Sequence, residues 1–214
     1  MIERNPFLSI IPEKQEPLFG IDNPKIKDYA KKLSEGNSIV IISGEAGSGK
    51  SALVFKLEKQ LPKKIKKIKT ICSPRLSKEL KEIKTKGKTV IFIEKLHVCM
   101  SLNEAELKNT IDTIGNMLSK NMSFVLTATP TLAATIPYLS NKLKNILVFD
   151  IPPLSLGDAK KLVVSRLNKI RKKRSDSISP FTENEIMQVW RKSNGNPKMV
   201  LLLCASLYGA KESS

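Results

Sequence analysis

The sequence predicts an α/β fold: a parallel five-stranded sheet flanked by helices, followed by a small all-helical segment. Three observations predict it. Runs of β-branched and apolar residues alternate with helical patterns between residues 38 and 149. One such unit, residues 38–61, joins a strand to a helix through a glycine-rich turn. From Ser155 the alternation ends and only helical patterns remain.

In chain order, residues 1–23 read as an arm, with isolated apolar anchors among turn residues such as Asn5-Pro6-Phe7. Asn23-Pro24 opens a helix that Gly36-Asn37 ends. Ile39-Val40-Ile41-Ile42 is the first strand, and the helix after its turn carries Leu53, Val54, Leu57 and Leu61 on one side. Ile65, Ile68 and Ile71 among lysines predict a second strand over 66–72 with one wet face. A helix is expected over 77–86, then a strand over 89–93 that is apolar throughout and so buried on both faces. Ser101 and Glu104 form a capping box for a helix to about residue 120. A buried strand over 123–127, a largely helical stretch over 131–144 and a last strand over 146–149 follow. Pro152-Pro153 closes the sheet domain, 24–152, and the helical domain is 153–214. Its helices are capped at Ser155/Asp158 and Thr182/Glu185, separated by a charged linker over 172–180, and Asn194-Gly195-Asn196-Pro197 introduces the last one.

The turn itself, Gly44-Glu45-Ala46-Gly47-Ser48-Gly49-Lys50-Ser51, is G-x-x-x-x-G-K-[ST] in strand–loop–helix context. Its glycines let successive backbone N–H groups converge on phosphate oxygens, and the helix behind them adds its positive end. Lys50 is placed to reach β/γ-phosphates and Ser51 to ligate Mg²⁺, so the pattern predicts a nucleoside triphosphate, ATP, with Mg²⁺.

A net charge of +17 favours a polyanionic partner, nucleic acid first. Two clusters, 63–69 and 169–174, are suited to phosphate backbones, and no aromatic is interleaved with them, which favours double-stranded DNA over stacked single strands. Trp190 reads as core of the helical domain rather than a DNA wedge. Three widely spaced cysteines argue against a disulfide framework or zinc site and for a reducing interior. The single histidine, His97, excludes a His-based metal site. No signal peptide or membrane-length apolar run is visible, so the expected location is cytoplasmic, away from membranes.

The strand Val90-Ile91-Phe92-Ile93 followed by Glu94-Lys95 makes the pattern more specific. It resembles the AAA+ ATPase superfamily of P-loop NTPases, in which four apolar residues precede Asp-Glu. The resemblance covers nearly the whole chain and implies that the helical domain is an AAA+ lid. It puts Glu94 on the metal-associated acid and Lys95 on the catalytic Glu. An ammonium with a pKa near 10.4 cannot accept a proton at neutral pH. Two readings follow: Glu94 holds Mg²⁺ and hydrolysis is slow, or the register slips by one and Glu94 is itself the base. Phe124 to Pro130 is similar to the sensor-1 strand, with Thr129 as its polar residue and Thr127 as the alternative. Residues 193–203 resemble the sensor-2 helix, with Lys198 where the family has Arg. No arginine lies between Arg75 and Arg166, so only Lys142 and Lys144 stand near the usual position of the arginine finger.

Within the superfamily, Pro17 to Asp22, Pro153 to Leu156 and Gly195 to Lys198 look most like replication initiators, origin-recognition subunits and transposition helpers, with secretion-associated ATPases equally close. Initiators of that kind carry a C-terminal winged-helix domain, which is expected to be absent or removed here. The resemblance implies an ATP-dependent switch in DNA transactions, with protein partners or self-association and impaired turnover. The alternatives are an active AAA+ ATPase or loader, and a non-catalytic scaffold subunit of a hetero-oligomer. A small-molecule kinase is disfavoured by the all-helical C-terminal segment.

Overall fold

A computed structural model describes residues 5–8, 18–21, 23–98 and 104–212. Two compact units emerge: Asp22–Ala46 with Lys50–Ile151, and Met1–Ile21 with Gly47–Gly49 and Pro152–Ser214.

The first unit holds helix α1 (Asn23–Glu35), β1 (Ile39–Ser43), α2 (Lys50–Gln60), β2 (Lys66–Ile71), α3 (Leu76–Glu82) and β3 (Thr89–Glu94). It continues with α4 (Glu104–Met117), β4 (Met122–Ala128), α5 (Pro130–Leu139) and β5 (Ile146–Asp150). The five strands are all parallel, in the order β2-β3-β4-β1-β5. β1, β3 and β4 lie inside the sheet, which is why their sequences are apolar at nearly every position rather than alternating. On one face Ile39, Ile41, Ile91, Ile93, Phe124 and Leu126 pack on Leu76 and Leu80 of α3, Ile111 and Ile114 of α4, and Leu132 and Ile136 of α5. β2 is an edge strand, and its lysines belong there: charge on an exposed edge discourages pairing with another chain.

Several helices stop earlier than their composition suggests. α3 ends at Glu82 rather than 86, because Ile83 turns extended and is drawn against the core. α4 ends at Met117, and Ser119 pairs with Met122 to start β4. α5 ends at Leu139, not 144: Ser140 is extended, donates its hydroxyl to Asp112 Oδ1 at 2.7 Å and accepts the Lys142 N–H at 3.3 Å. Cys72 is in a disulfide, against the expectation of free thiols, whereas Cys204 is free and buried, with burial pushing its thiol up to about 12. The expected cap at Ser101, and Cys99, lie outside the described residues.

The second unit is built on α6 (Leu156–Leu167), α7 (Glu183–Ser193) and α8 (Pro197–Glu212). Phe7, Leu162, Val163, Phe181, Ile186, Val200 and Tyr208 share its core, and Phe7 packs edge-on against Phe181. Trp190 packs beside this core and donates its indole N–H to the Leu154 carbonyl at 2.7 Å, a core role rather than a wedge. The caps predicted from sequence form: Ser155 accepts the Asp158 N–H, and Thr182 and Glu185 close a full capping box. α6 stops at Leu167 rather than near 171, since Arg171 turns back to donate to the carbonyls of Ser175, Ser177 and Ser179.

Candidate nucleotide-binding site

β1 delivers the chain to the carboxyl edge of the sheet, where ligands of parallel sheets bind. The Gly44 N–H is tied to the Ala128 carbonyl at 3.3 Å, which fixes the root of the loop on β4. Gly47 and Gly49 have φ of 84° and 101°, a region that side chains resist, so the glycine spacing is a backbone requirement. α2 begins at Lys50, and its first-turn N–H groups, unpaired within the helix, face the loop.

Lys50 Nζ donates to the carbonyls of Gly44 at 2.6 Å and Glu45 at 2.9 Å. Burial lowers its pKa, and the nearby Glu45 charge partly counters this. The Ser51 hydroxyl donates to Glu94 Oε2 at 2.6 Å, across a separation of 43 residues. This contact joins the two oxygen ligands expected for Mg²⁺, one hydroxyl and one carboxylate. A hard cation that keeps several waters and phosphate oxygens needs no more from the protein. The Ser48 hydroxyl is buried and lacks a hydrogen-bond partner, as a group awaiting an anion would be. The donor set therefore fits a nucleotide with Mg²⁺.

Lys95 follows Glu94 in the left-handed region, with φ of 59°. Its N–H donates to Thr127 Oγ1 at 2.8 Å, and the next N–H, of Leu96, goes to the Thr127 carbonyl at 3.0 Å. Thr127 is thus buried and engaged in holding that turn. Thr129 is different. It is the N-cap of α5, but its side chain makes no capping bond. Because Ser43 is in register with Ala128, Thr129 emerges beside the loop root at Gly44.

Among the loop residues, Gly47–Gly49 cluster with the C-terminal helices. The Gly47 carbonyl accepts the Lys198 N–H at 3.3 Å, and a Cβ on Gly47 would sit 2.6 Å from Lys198 Cβ. Asn196 caps α8 by accepting the N–H groups of Lys198 and Met199 through Oδ1. Lys142 and Lys144, considered above for an arginine-finger role, lie in the loop before β5, at the opposite, amino edge of the sheet. Sequence reasoning did not single out the Thr127–Lys95 clasp, since its only signal is a Lys in a conformation the sequence does not announce.

Residues 21–174 match the model of the family nSTAND3, novel STAND NTPase 3. The chain belongs to that family. The matched region holds the phosphate loop, Glu94, Lys95 and Thr129, whereas Lys198 lies beyond it. No curated protein matches the sequence. Among solved structures, this NTPase is similar to Aeropyrum pernix ORC1 in complex with DNA, at 13% identity and TM-score 0.68, covering 96% of this chain and 64% of that one. It is similar to the Thermotoga maritima RuvB Holliday junction branch migration motor, at 16% identity and TM-score 0.55, covering 90% of this chain and 64% of that one. The S. cerevisiae Hsp104–ADP complex matches at 15% identity and TM-score 0.62, covering 92% of this chain and 32% of that one. At these identities the shared property is the AAA+ P-loop fold. This NTPase spans less than two thirds of each of those three chains.

Proposed function

We propose that this chain is an ATP-dependent switch in DNA transactions that binds ATP–Mg²⁺ and hydrolyses it slowly. The observation that carries the reading is the Ser51–Glu94 hydrogen bond followed directly by Lys95. That bond favours Glu94 as the metal-associated acid over the alternative in which it is the base. Bound Mg²⁺ would neutralise charge on the β- and γ-phosphates. Lys50 and the loop N–H groups grip the phosphates, and Thr129 is the polar group beside them. Where a carboxylate would accept the proton of an attacking water, the chain has an ammonium. Binding without fast turnover still drives a switch if ATP prefers one conformation.

The DNA part of the reading rests on charge, +17 overall. It also draws on fold relatives whose names include ORC1 bound to DNA and a Holliday junction motor. Self-association, or assembly with a protein partner, is the expected readout of nucleotide state. No helix among the described residues is long and apolar enough to cross a membrane.

The reading is tested by measuring ATP affinity and turnover for wild type, Lys50→Ala, Glu94→Gln and Lys95→Glu. Lys50→Ala should abolish binding, and Glu94→Gln should weaken it only when Mg²⁺ is present. Lys95→Glu should raise turnover by tenfold or more, within the range of about 10²–10⁴ that a positioned base contributes. Wild-type turnover already at about one per second, an ordinary enzymatic rate, would refute slow hydrolysis.

A further inference from the structure

In a parallel sheet every loop that enters a strand lies at the amino edge, opposite the phosphate loop. Here those five loops are residues 36–38, 61–65, 83–88, 118–121 and 140–145. They contain eight lysines and no acidic residue. Lys63 and Lys64 precede β2; Lys84, Lys86 and Lys88 precede β3; Lys120 precedes β4; Lys142 and Lys144 precede β5. All eight side chains belong to exposed residues. Among the described residues none of them forms an ion pair, and only Lys88 has a fixed partner, the last carbonyls of α1 at Ser34 and Glu35. Glu35 and Glu82, at the ends of α1 and α3, are the acids nearest in sequence.

The same edge contains a groove of about 730 Å³, lined by Lys32, Lys88 and Lys120, by Asn37, Asn121 and Asn145, and also by Glu35 and Leu147. Hydrogen bonds tie its walls together. Asn145 Nδ2 donates to the Asn37 carbonyl at 2.9 Å, and the Asn37 N–H reaches the carbonyls of Ser119 and Met122. The apolar residues of these loops face inward: Leu61 and Ile65 are buried, and Ile83, Leu118 and Leu143 pack on the core. Nothing is left to insert into a bilayer, and no aromatic is present for base stacking. Eight loop lysines, which outnumber the Glu35 carboxylate at the groove, with amide donors between them, suit a phosphate backbone.

We propose that the amino edge of the sheet is the face that docks duplex DNA, through its phosphates and without reading sequence. The inference rests on the DNA part of the function proposed above and adds its location. Five strands about 4.8 Å apart make a row about 19 Å long, enough to meet several phosphates of a duplex. The proposal gives the cluster at 169–174 no part in docking, since Arg171 is already engaged by three backbone carbonyls of its own linker. The phosphate loop stays clear of the DNA, because it opens on the opposite edge of the sheet.

The test is binding of a fluorescein-labelled 20-base-pair duplex to the full chain across a salt series. One variant carries Lys→Gln at 63, 64, 84, 86, 142 and 144, and a second carries Gln at Lys172, Lys173 and Arg174. The first should lose at least tenfold in affinity and flatten the log K against log salt slope by about 2 or more, at roughly 0.9 per lost phosphate contact. The second should stay within twofold of wild type. ATP–Mg²⁺ affinity should be unchanged in both, which shows that they are folded. Lysine acetylation footprinting of the wild type gives a second reading that needs no variant: Lys63, Lys64, Lys142 and Lys144 should be protected by duplex. Loss confined to the 172–174 variant, or no protection of these lysines, overturns this face while leaving DNA binding intact. A wild type that ignores the duplex, or binds only phosphatidylserine vesicles, overturns the DNA reading itself.

Discussion

At the scale of single residues, the proposed function separates holding from spending. In that proposal Gly44 to Ser51 and Glu94 would grip phosphate and metal, as the Lys50 and Ser51–Glu94 hydrogen bonds support, and Lys95 would stand where a catalytic carboxylate is expected. Lys95 is also held in a left-handed turn by Thr127. Thr127→Val should remove the acceptor for the Lys95 N–H. Leaving that partly buried donor unpaired should cost about 1–3 kcal/mol of stability, read by urea unfolding, with ATP affinity affected less. Gly47→Ala meets two obstacles, a φ of 84° and Lys198 Cβ at 2.6 Å. A strained backbone of this kind costs about 1–3 kcal/mol, so the variant should melt lower and bind ATP less well. The motif residues were legible in the sequence, because a phosphate loop is a local device. The clasp of Thr127 on the Lys95 N–H was not. It depends on a hydrogen bond between adjacent strands, which no spacing within one strand reveals.

At the scale of elements, caps and loop ends decide where helices stop. The capping box of α7 joins Thr182, Glu185 and, through an ion pair, Lys211 of α8. Thr182→Ala should cost about 1 kcal/mol in urea unfolding. The backbone N–H of Thr182, then Lys211, hold the Glu185 carboxyl below the usual carboxylate range. A depressed folded pKa stabilises above the unfolded value, near 4.3, and that stability is lost as pH falls through the folded value. Wild type should therefore exceed Glu185→Gln in stability at neutral pH, and the difference should shrink as pH falls through the carboxyl's depressed folded value. The five strands and both of these caps were readable, since each is a run of a few residues. The early ends of α3 and α5 were not. Residues 83–88 and 140–145 are compatible with helix, and tertiary demands, Ile83 seeking the core and Ser140 bonding Asp112, override propensity there.

At the scale of the whole molecule, the pattern of charge matters more than its sum. A charge of +17 says only that a polyanion is favoured. Topology sorts it: loops separated in sequence by a whole strand and helix meet along one sheet edge, so the lysine row was invisible as a motif. The two units also have separate cores, and the described part of the arm belongs to the helical one. Phe7 is fully buried there against Phe181 and Tyr208. Phe7→Ala should destabilise that unit by about 3–5 kcal/mol, read as a lowered or split thermal transition.

Whether ATP is held but spent slowly is read out by a single-turnover experiment. The protein, in excess over γ-labelled ATP with Mg²⁺, is followed for both retention of label and release of phosphate. Stoichiometric retention is expected, with phosphate appearing over many minutes. Failure to retain ATP, or release at about one per second or faster, would contradict it.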